Sequence, residues 1–217
     1  MDNIETQQPT IFLVDDDVGI RRWLASALSE RGFGMQAFES AQAFLDYYNA
    51  EEPGCLLLDV SLPGMTGLEL QQELVKSAVS IPIIFITGQG DIPQSVRAIK
   101  AGAIDFLEKP FGIDALLERI NRALAADSAL RAQQKYRQAL LARFDSLTER
   151  EQEVMRLMIA GAATASSKQI AAELGISHRT IDHHRTHIME KTRARSVTEL
   201  ARLASWAGLV ELESEAQ

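Results

Sequence analysis

Four apolar runs in the first half of the chain each lead to a polar side chain suited to phosphate chemistry. Asp15 to Asp17 follow the run IFLV, Asp59 follows CLLL, Thr87 follows IPIIFI, and Lys109 closes the segment IDFLEK. Carboxylates at this density repel one another unless a cation offsets them, and hard oxygen ligands suit Mg²⁺. The pattern predicts a magnesium site after the first run, although each residue taken alone could cap a helix or form a surface pair.

A carboxylate, a metal, a hydroxyl and a lysine together are the groups that phosphoryl transfer needs. Asp59 could attack phosphorus while Mg²⁺, Thr87 and Lys109 neutralise charge on the transferring oxygens. Four complementary groups at four such positions favour one chemical site over separate caps and surface pairs.

Short apolar runs alternate five times with segments of helical period. The continuous apolar character of the first, third and fourth runs is typical of strands buried on both faces of a parallel sheet. We therefore predict an α/β fold with a doubly wound five-stranded parallel sheet, whose ligands bind beyond the carboxyl ends of the strands. The predicted strands are residues 10–14, 34–38, 55–58, 81–86 and 104–108, and the predicted helices are 18–31, 40–48, 66–77, 92–101 and 113–126.

Composition limits the class of protein. The chain has 217 residues, a net charge of −8 and 46% hydrophobic residues, which suits one large or two modest globular domains. It shows no signal peptide and no apolar run of the roughly 20 residues that span a bilayer, so we expect a cytoplasmic protein without membrane contact. The single cysteine, Cys55, is expected in a core, because one thiol makes neither an internal disulfide nor a zinc cluster.

The second half of the chain differs in charge and pattern. Residues 1–125 carry nine Lys or Arg against eighteen Asp or Glu, whereas residues 126–217 carry thirteen against twelve. The stretch 121–144 is rich in Ala, Leu, Gln and Arg without Gly or Pro, which predicts a helical linker. We expect domains at 1–126 and 144–217, joined by the linker 127–143.

Helix-start signals recur in the last 70 or so residues. Thr148, Ser166 and Ser196 are each followed three residues later by Glu or Gln, as in a capping box, and Ser177 supplies a cap without that partner. Four short helices are predicted. The middle pair, joined by a turn that contains glycine, has the lengths of a helix-turn-helix, whose second helix enters the major groove of DNA.

Helical period divides that second helix into two faces. Ile181, His184 and Ile188 form the inward stripe, which leaves the polar residues facing outward. The predicted DNA contacts are Arg179, Thr180, Asp182, His183, Arg185, Thr186, His187, Lys191 and Arg193. The alternatives are a solvated face and a zinc pair at His183 and His187, and the zinc pair lacks further ligands at suitable spacing.

The segments VDDD, LLLDVSLPGMTGLEL, FITGQGD and AGAIDFLEKPF resemble the signature segments of response-regulator receiver domains over about residues 9–126. The resemblance implies a flavodoxin-like fold with Asp59 as phosphoacceptor. It also implies that Asp15, Asp16 and Asp59 bind Mg²⁺ together with the backbone carbonyl of Ser61. The remaining roles it implies are a switch hydroxyl at Thr87, a rotating aromatic at Phe106 and a lysine at Lys109, before a cis bond to Pro110.

Residues 144–210 resemble the DNA-binding domain of the NarL/FixJ family, also called LuxR-type, in LTEREQEVMRLMIAG and KQIAAELGISHRTIDHHRTHIMEK. Two departures stand out. The loop from Gly161 to Lys168 takes seven residues where the family usually takes four, and His183 occupies a position where the family commonly has valine.

The two resemblances together imply a two-component response regulator and transcription factor. A histidine kinase would phosphorylate Asp59, and the phosphorylated receiver would control dimerisation and binding to promoter DNA. The expected partners are the kinase, double-stranded DNA, RNA polymerase and a second copy of the chain. The only expected catalysis is Mg²⁺-dependent self-phosphorylation and dephosphorylation at Asp59.

The sequence is compatible with two alternatives. A haloacid-dehalogenase-like hydrolase with Asp15 as nucleophile would leave Asp59 and the last 70 residues unexplained. Constitutive DNA binding without phosphorylation is the other.

Overall fold

The computed structural model describes residues 8–88, 102–160 and 166–210. It divides the chain into two compact units, Met1–Arg131 and Ala132–Gln217. Among the described residues, no helix is both long enough and apolar enough to cross a membrane.

The first unit is built on five parallel strands in the order β2-β1-β3-β4-β5. This order confirms the predicted doubly wound α/β fold, and each strand lies within two residues of its predicted bounds. The strands are β1 Thr10–Val14, β2 Gly34–Phe38, β3 Gly54–Asp59, β4 Ile83–Thr87 and β5 Asp105–Glu108.

Successive residues of the central strands enter two separate cores. Phe12, Leu58 and Phe85 pack on one face of the sheet, and Leu13 and Ile84 pack on the other, all fully buried. This two-sided burial explains the continuous apolar runs in the sequence. Cys55 lies fully buried within the second core, and burial raises its pKa to about 12, which leaves an unreactive thiol.

The helices begin where side chains can cap them. Ser40 accepts the backbone N–H of Ala43, as its type and position predict, and Thr66 forms a reciprocal capping box with Glu69 that the sequence analysis did not single out. The described helices of this unit are α1 Val18–Ser29, α2 Ala41–Tyr47, α3 Gly67–Lys76 and the start of α4 Ile113–Asp145. The predicted helix 92–101 lies outside the described residues.

Helix α4 continues through the predicted linker without a break. Its residues Asp127 and Arg131 bind the chain before β3: Asp127 Oδ2 accepts the N–H of Gly54 at 3.1 Å, and Arg131 Nη2 donates to the carbonyl of Glu52 at 2.7 Å. The two side chains also pair with each other at 2.8 Å. Two residues at the start of the predicted linker therefore anchor this part of α4 to the chain before β3.

The second unit is all-α, as predicted. Its own helices are α5 Glu149–Ala160, α6 Ser167–Leu174, α7 His178–Thr192 and α8 Val197–Ala207, packed with Leu140 and Phe144 of α4 around one apolar core. Ser166 and Ser177 cap α6 and α7 as expected. At α8 the box is incomplete, because the carboxylate of Glu199 accepts the N–H of Arg195 and not that of Ser196.

We expect Arg131→Met to destabilise the first unit by about 3 kcal/mol, because it leaves the buried carboxylate of Asp127 without its cation. Urea unfolding of the full chain measures this loss. The chain has two tryptophans, so Trp23 reports on the first unit alone when Trp206→Phe is present in every variant. Lys135→Met, an exposed position on the same helix, should change stability by less than about 0.5 kcal/mol. An equal loss in both variants would contradict the assigned role of Arg131.

Candidate functional site

The carboxyl ends of β1 and β3 bring three carboxylates together. These strands are neighbours with Val14 opposite Leu58, so the residues that follow them lie side by side. Oxygens of Asp15, Asp16 and Asp59 all lie within 4.8 Å of one another. Asp15 and Asp59 are buried and Asp16 is exposed, an arrangement of hard oxygen ligands that is compatible with Mg²⁺.

Lys109 joins the two buried carboxylates. Its Nζ donates to Asp15 Oδ2 at 2.8 Å and to Asp59 Oδ2 at 2.5 Å. Its backbone N–H donates to the carbonyl of Thr87 at 2.8 Å, which fixes Lys109 beside the end of β4. The peptide bond between Lys109 and Pro110 is cis, as the family resemblance implies.

Burial and pairing act in opposite directions on these charges. Burial is the largest influence on Asp15 and raises its pKa, although the N–H groups of Lys109 and Asp17 favour its charged form. Burial also disfavours the ammonium of Lys109, but the hydrogen bonds to Asp15 and Asp59 outweigh it and raise the pKa of Lys109. The lysine therefore stays charged and offsets part of the acidic cluster.

Asp17 caps a helix, unlike its two acidic neighbours. Its Oδ1 accepts the backbone N–H of Gly19 at 2.6 Å and that of Ile20 at 3.3 Å, which makes it the N-cap of α1. Such a cap satisfies amide groups that the helix leaves unpaired and places a negative charge at the positive end of its dipole. Of the three consecutive aspartates, only Asp15 and Asp16 face the cluster with Asp59.

The backbone around Asp59 is held closely. The N–H of Ser61 donates to Asp59 Oδ1 at 2.8 Å, so both carboxylate oxygens are engaged. A Cβ on Gly67 would lie 2.2 Å from the carbonyl oxygen of Asp59, so only glycine lets α3 start this close to the end of β3. This role of Gly67 was not among the predictions. The available signal in the sequence was its position directly after Thr66, a threonine that caps a helix.

Thr87 and Phe106 lie on adjacent strands. Thr87 ends β4 with 3% of its surface exposed, and its hydroxyl donates to the carbonyl of Gly88 at 3.2 Å. Phe106 is the second residue of β5, opposite Phe85, and is 41% exposed. A buried hydroxyl and an outward-facing aromatic ring thus occupy the positions predicted to act as a switch.

An open apolar depression of about 440 Å³ borders the acidic cluster. Ile20, Trp23, Lys109, Pro110 and Phe111 line it, and the rings of Trp23 and Phe111 lie 5.6 Å apart. Exposed apolar surface beside a cluster of charged side chains is typical of a site where another molecule binds.

The helix-turn-helix pair is formed by α6 and α7. Gly175 ends α6 with a left-handed φ of +62°, which allows the tight turn, and Ser177 then caps α7. Ile181 and Ile188 are fully buried and His184 is half-buried, in agreement with the predicted inward stripe. The lengthened loop falls partly on residues 161–165, which lie outside the described residues.

The residues predicted to contact DNA differ in solvent exposure. Exposed residues among them are Arg179, Thr180, Asp182, His183, Thr186 and Arg193, whereas Arg185, His187 and Lys191 are partly buried. Lys191 Nζ donates to Glu151 Oε2 at 2.6 Å, and His187 Nδ1 lies 3.6 Å from Glu151 Oε1. The sequence analysis missed Glu151 as a partner of α7 and recognised it only as part of a capping box.

Two protein-family models match the chain in the same two parts. The model of the response regulator receiver domain matches residues 11–121, and that of the luxR family of bacterial regulatory proteins matches residues 145–204. The chain belongs to the response regulator family. As a response regulator with a LuxR-type DNA-binding domain, it is a transcription regulator.

Relatives of this response regulator share both parts. Nodulation protein W of Bradyrhizobium diazoefficiens is 43% identical over 92% of this chain and 86% of its own length. Transcriptional regulatory protein FixJ of the same species is 41% identical over 94% and 98%. Among solved structures, the response regulator StyR is 45% identical, covers 91% of this chain and 98% of its own, and superposes with a TM-score of 0.82.

We expect Asp16→Ala to weaken Mg²⁺ binding by at least about tenfold, since loss of a ligand should cost no less than loss of a supporting hydrogen bond. Asp16 makes no hydrogen bond or ion pair within the described residues, so stability should hold. Asp17→Ala removes the same charge one residue further on. It should reduce the Mg²⁺ affinity far less than Asp16→Ala does. It should also lower the stability by about 1 kcal/mol, because the N-cap of α1 is lost. Calorimetric titration and urea unfolding measure the two effects, and equal Mg²⁺ affinities in both variants would refute the assignment.

Proposed function

We propose that this response regulator is switched by phosphorylation of Asp59, with a histidine kinase as the phosphodonor and Mg²⁺ bound by Asp15, Asp16, Asp59 and the carbonyl of Ser61. The phosphorylated receiver controls dimerisation and the binding of α7 to promoter DNA, where the regulator acts on RNA polymerase. The observation that carries the proposal is the bridge from Lys109 to Asp59, which places a cation at the nucleophile. The domains of this mechanism are 1–126 and 144–217 with the linker 127–143.

Asp59 acts as the nucleophile in the proposed transfer. One of its oxygens forms a bond to phosphorus while the bond from phosphorus to the donor nitrogen breaks. The ammonium of Lys109 lies 2.5 Å from Asp59 Oδ2, and its side chain is 23% exposed. As negative charge develops on the phosphoryl oxygens, this ammonium binds and neutralises them. Bound Mg²⁺ supplies further neutralisation of these oxygens. The self-phosphorylation and dephosphorylation expected at Asp59 use the same groups.

The apolar depression at Trp23 and Phe111 suits the kinase as a docking surface. It lies against Lys109, so a protein seated there has its phosphorylated side chain close to Asp59. Burial of its aromatic rings would favour the encounter, since aromatic residues are enriched where proteins meet.

Thr87 and Phe106 transmit the switch in this proposal. A phosphoryl group on Asp59 offers new acceptor oxygens next to the end of β4. The hydroxyl of Thr87 moves from the carbonyl of Gly88 to one of them, and Phe106 turns into the space that is vacated. The surface around β5 changes with it, and a second copy of the chain then binds there.

The exposed residues of α7 read the DNA in this proposal. Arg179, Asp182, His183 and Thr186 project from the first three turns, so they meet base edges when the helix enters the major groove. Arg193, at the helix end with a left-handed φ of +58°, contacts the phosphate backbone.

We expect wild type, but not Asp59→Asn, to gain one phosphoryl group by intact mass spectrometry after incubation with Mg²⁺ and acetyl phosphate. Phosphorylated wild type should bind about tenfold more tightly to a duplex selected from a random-sequence pool, and sedimentation velocity should show a dimer. Asp46→Asn, an exposed acid in the same unit, should behave like wild type.

Two results would contradict this proposal separately. Phosphorylation of Asp59→Asn at the wild-type rate would show that the nucleophile is another residue. Phosphorylated wild type that binds DNA no more tightly than the unphosphorylated chain would favour constitutive binding.

We expect Thr87→Val to accept the phosphoryl group while losing most of the tightening on DNA, since the valine keeps the shape of threonine without its hydroxyl. Thr10→Val, at the opposite end of the sheet, is the matched control and should switch normally. NMR relaxation of residues 102–108 should change on phosphorylation in wild type and not in Thr87→Val. Full switching by Thr87→Val would exclude the hydroxyl from the coupling.

A further inference from the structure

Glu151 is a buried carboxylate in the second unit, with 3% of its surface exposed. It is the third residue of α5 and forms a reciprocal capping box with Thr148. Its Oε2 accepts the N–H and the hydroxyl of Thr148 at 2.8 and 3.0 Å, and its own N–H donates to Thr148 Oγ1 at 3.3 Å. This box accounts for the position of Glu151 but not for its burial or its charge.

The start of α6 shows that the cap needs no charge. Ser166 and Gln169 form the same reciprocal box, in which Gln169 Oε1 accepts the N–H of Ser166 at 2.8 Å. A glutamine at position 151 would therefore cap α5 equally well. The carboxylate of Glu151 differs in what lies opposite it, because the last turns of α7 bring a lysine and a histidine to it.

The carboxylate of Glu151 faces two side chains of α7. Lys191 Nζ lies 2.6 Å from Glu151 Oε2, and His187, one turn earlier, has its Nδ1 3.6 Å from Oε1. The side chains of Lys191 and His187 are 34% and 41% exposed, against 4% for Glu151. A buried acid of α5 therefore binds one residue of the helix that is proposed to enter DNA and lies close to a second.

Retention of the Glu151 charge is consistent with this geometry. Burial opposes ionisation of Glu151, but the hydrogen bonds from Lys191 and Thr148 outweigh it and lower its pKa to about 2. The ionised form is the one that the fold favours. Its contribution to stability is present above the ordinary glutamate pKa of 4.5 and is lost as the pH falls toward 2.

We propose that Glu151 is a positioning residue for DNA binding, which anchors α7 to α5 through Lys191 and withholds the charge of Lys191 from the DNA phosphates. The inference rests on the proposed binding of α7 to DNA. It assigns backbone attraction on this helix to exposed cations such as Arg193, whose side chain has no hydrogen bond or ion pair within the described part of the chain.

The salt dependence of DNA binding distinguishes a phosphate contact from a structural lysine. Each contact contributes about 0.9 to the slope of log K against log salt. The experiment uses the full chain with Mg²⁺ and acetyl phosphate, and a labelled duplex of mixed sequence as the probe. Slopes are compared per bound subunit for wild type, Lys191→Met, Glu151→Gln, the variant with both of these changes and Arg193→Met.

We expect Lys191→Met to leave the slope unchanged and Arg193→Met to make it shallower by about 0.9. Glu151→Gln keeps the cap and frees Lys191, so its slope should become steeper by about 0.9. This increment should disappear in the double variant. Circular dichroism and Trp206 fluorescence check that each variant is folded, and Glu151→Gln provides the test if Lys191→Met is not.

The results that would overturn the inference alone differ from the result that would also overturn the proposed function. A slope shallower by about 0.9 in Lys191→Met would show that Lys191 contacts phosphate despite Glu151 and would overturn the inference alone. An unchanged slope in folded Glu151→Gln would do the same. If Arg193→Met also binds with the wild-type slope, α7 does not contact the DNA backbone as proposed, and both the proposed function and the inference are wrong.

Discussion

The bridge from Lys109 to Asp15 and Asp59 is the interaction on which the receiver depends. The sheet order sets the ends of β1 and β3 side by side, which forces two buried carboxylates together. An unpaired buried charge costs several kcal/mol, and two like charges cost more. Lys109 comes from beyond β5 and reaches across the end of β4 to offset both. The same topology that creates the repulsion therefore also supplies the cation that makes it tolerable.

This balance makes the site responsive to added charge. Asp59 has one oxygen on Lys109 and the other on the N–H of Ser61, so any group bonded to it must displace or recruit those donors. Thr87 stands at the end of the strand between Asp59 and Lys109, and the carbonyl of Thr87 fixes the backbone of Lys109. Lys109 and Thr87 therefore connect the acidic cluster to the ends of β4 and β5.

Every buried carboxylate in the described ranges is paired with a cation. Asp15 and Asp59 share Lys109, Asp127 pairs with Arg131 at the start of the linker, and Glu151 pairs with Lys191 in the second unit. Ion pairs of this kind add little net stability compared with an apolar pair, but breaking one is costly. Each therefore selects one packing arrangement, and the three sets fix the acidic cluster, the start of the linker helix and the helix-turn-helix.

Local patterns made most of the fold predictable, whereas long-range pairing did not. Buried strands are continuous apolar runs, and helix starts have short capping signals, so both are readable within a few residues. Asp17 was grouped with its neighbours by charge, although an aspartate directly before a helix is a preferred N-cap. Lys191 was assigned to DNA because it follows an exposed helix face. Its partner Glu151 lies 40 residues earlier, and no periodicity shows which acid will meet a given lysine after folding. Which acid pairs with a given surface lysine depends on packing between helices, and that packing is not encoded in any local pattern.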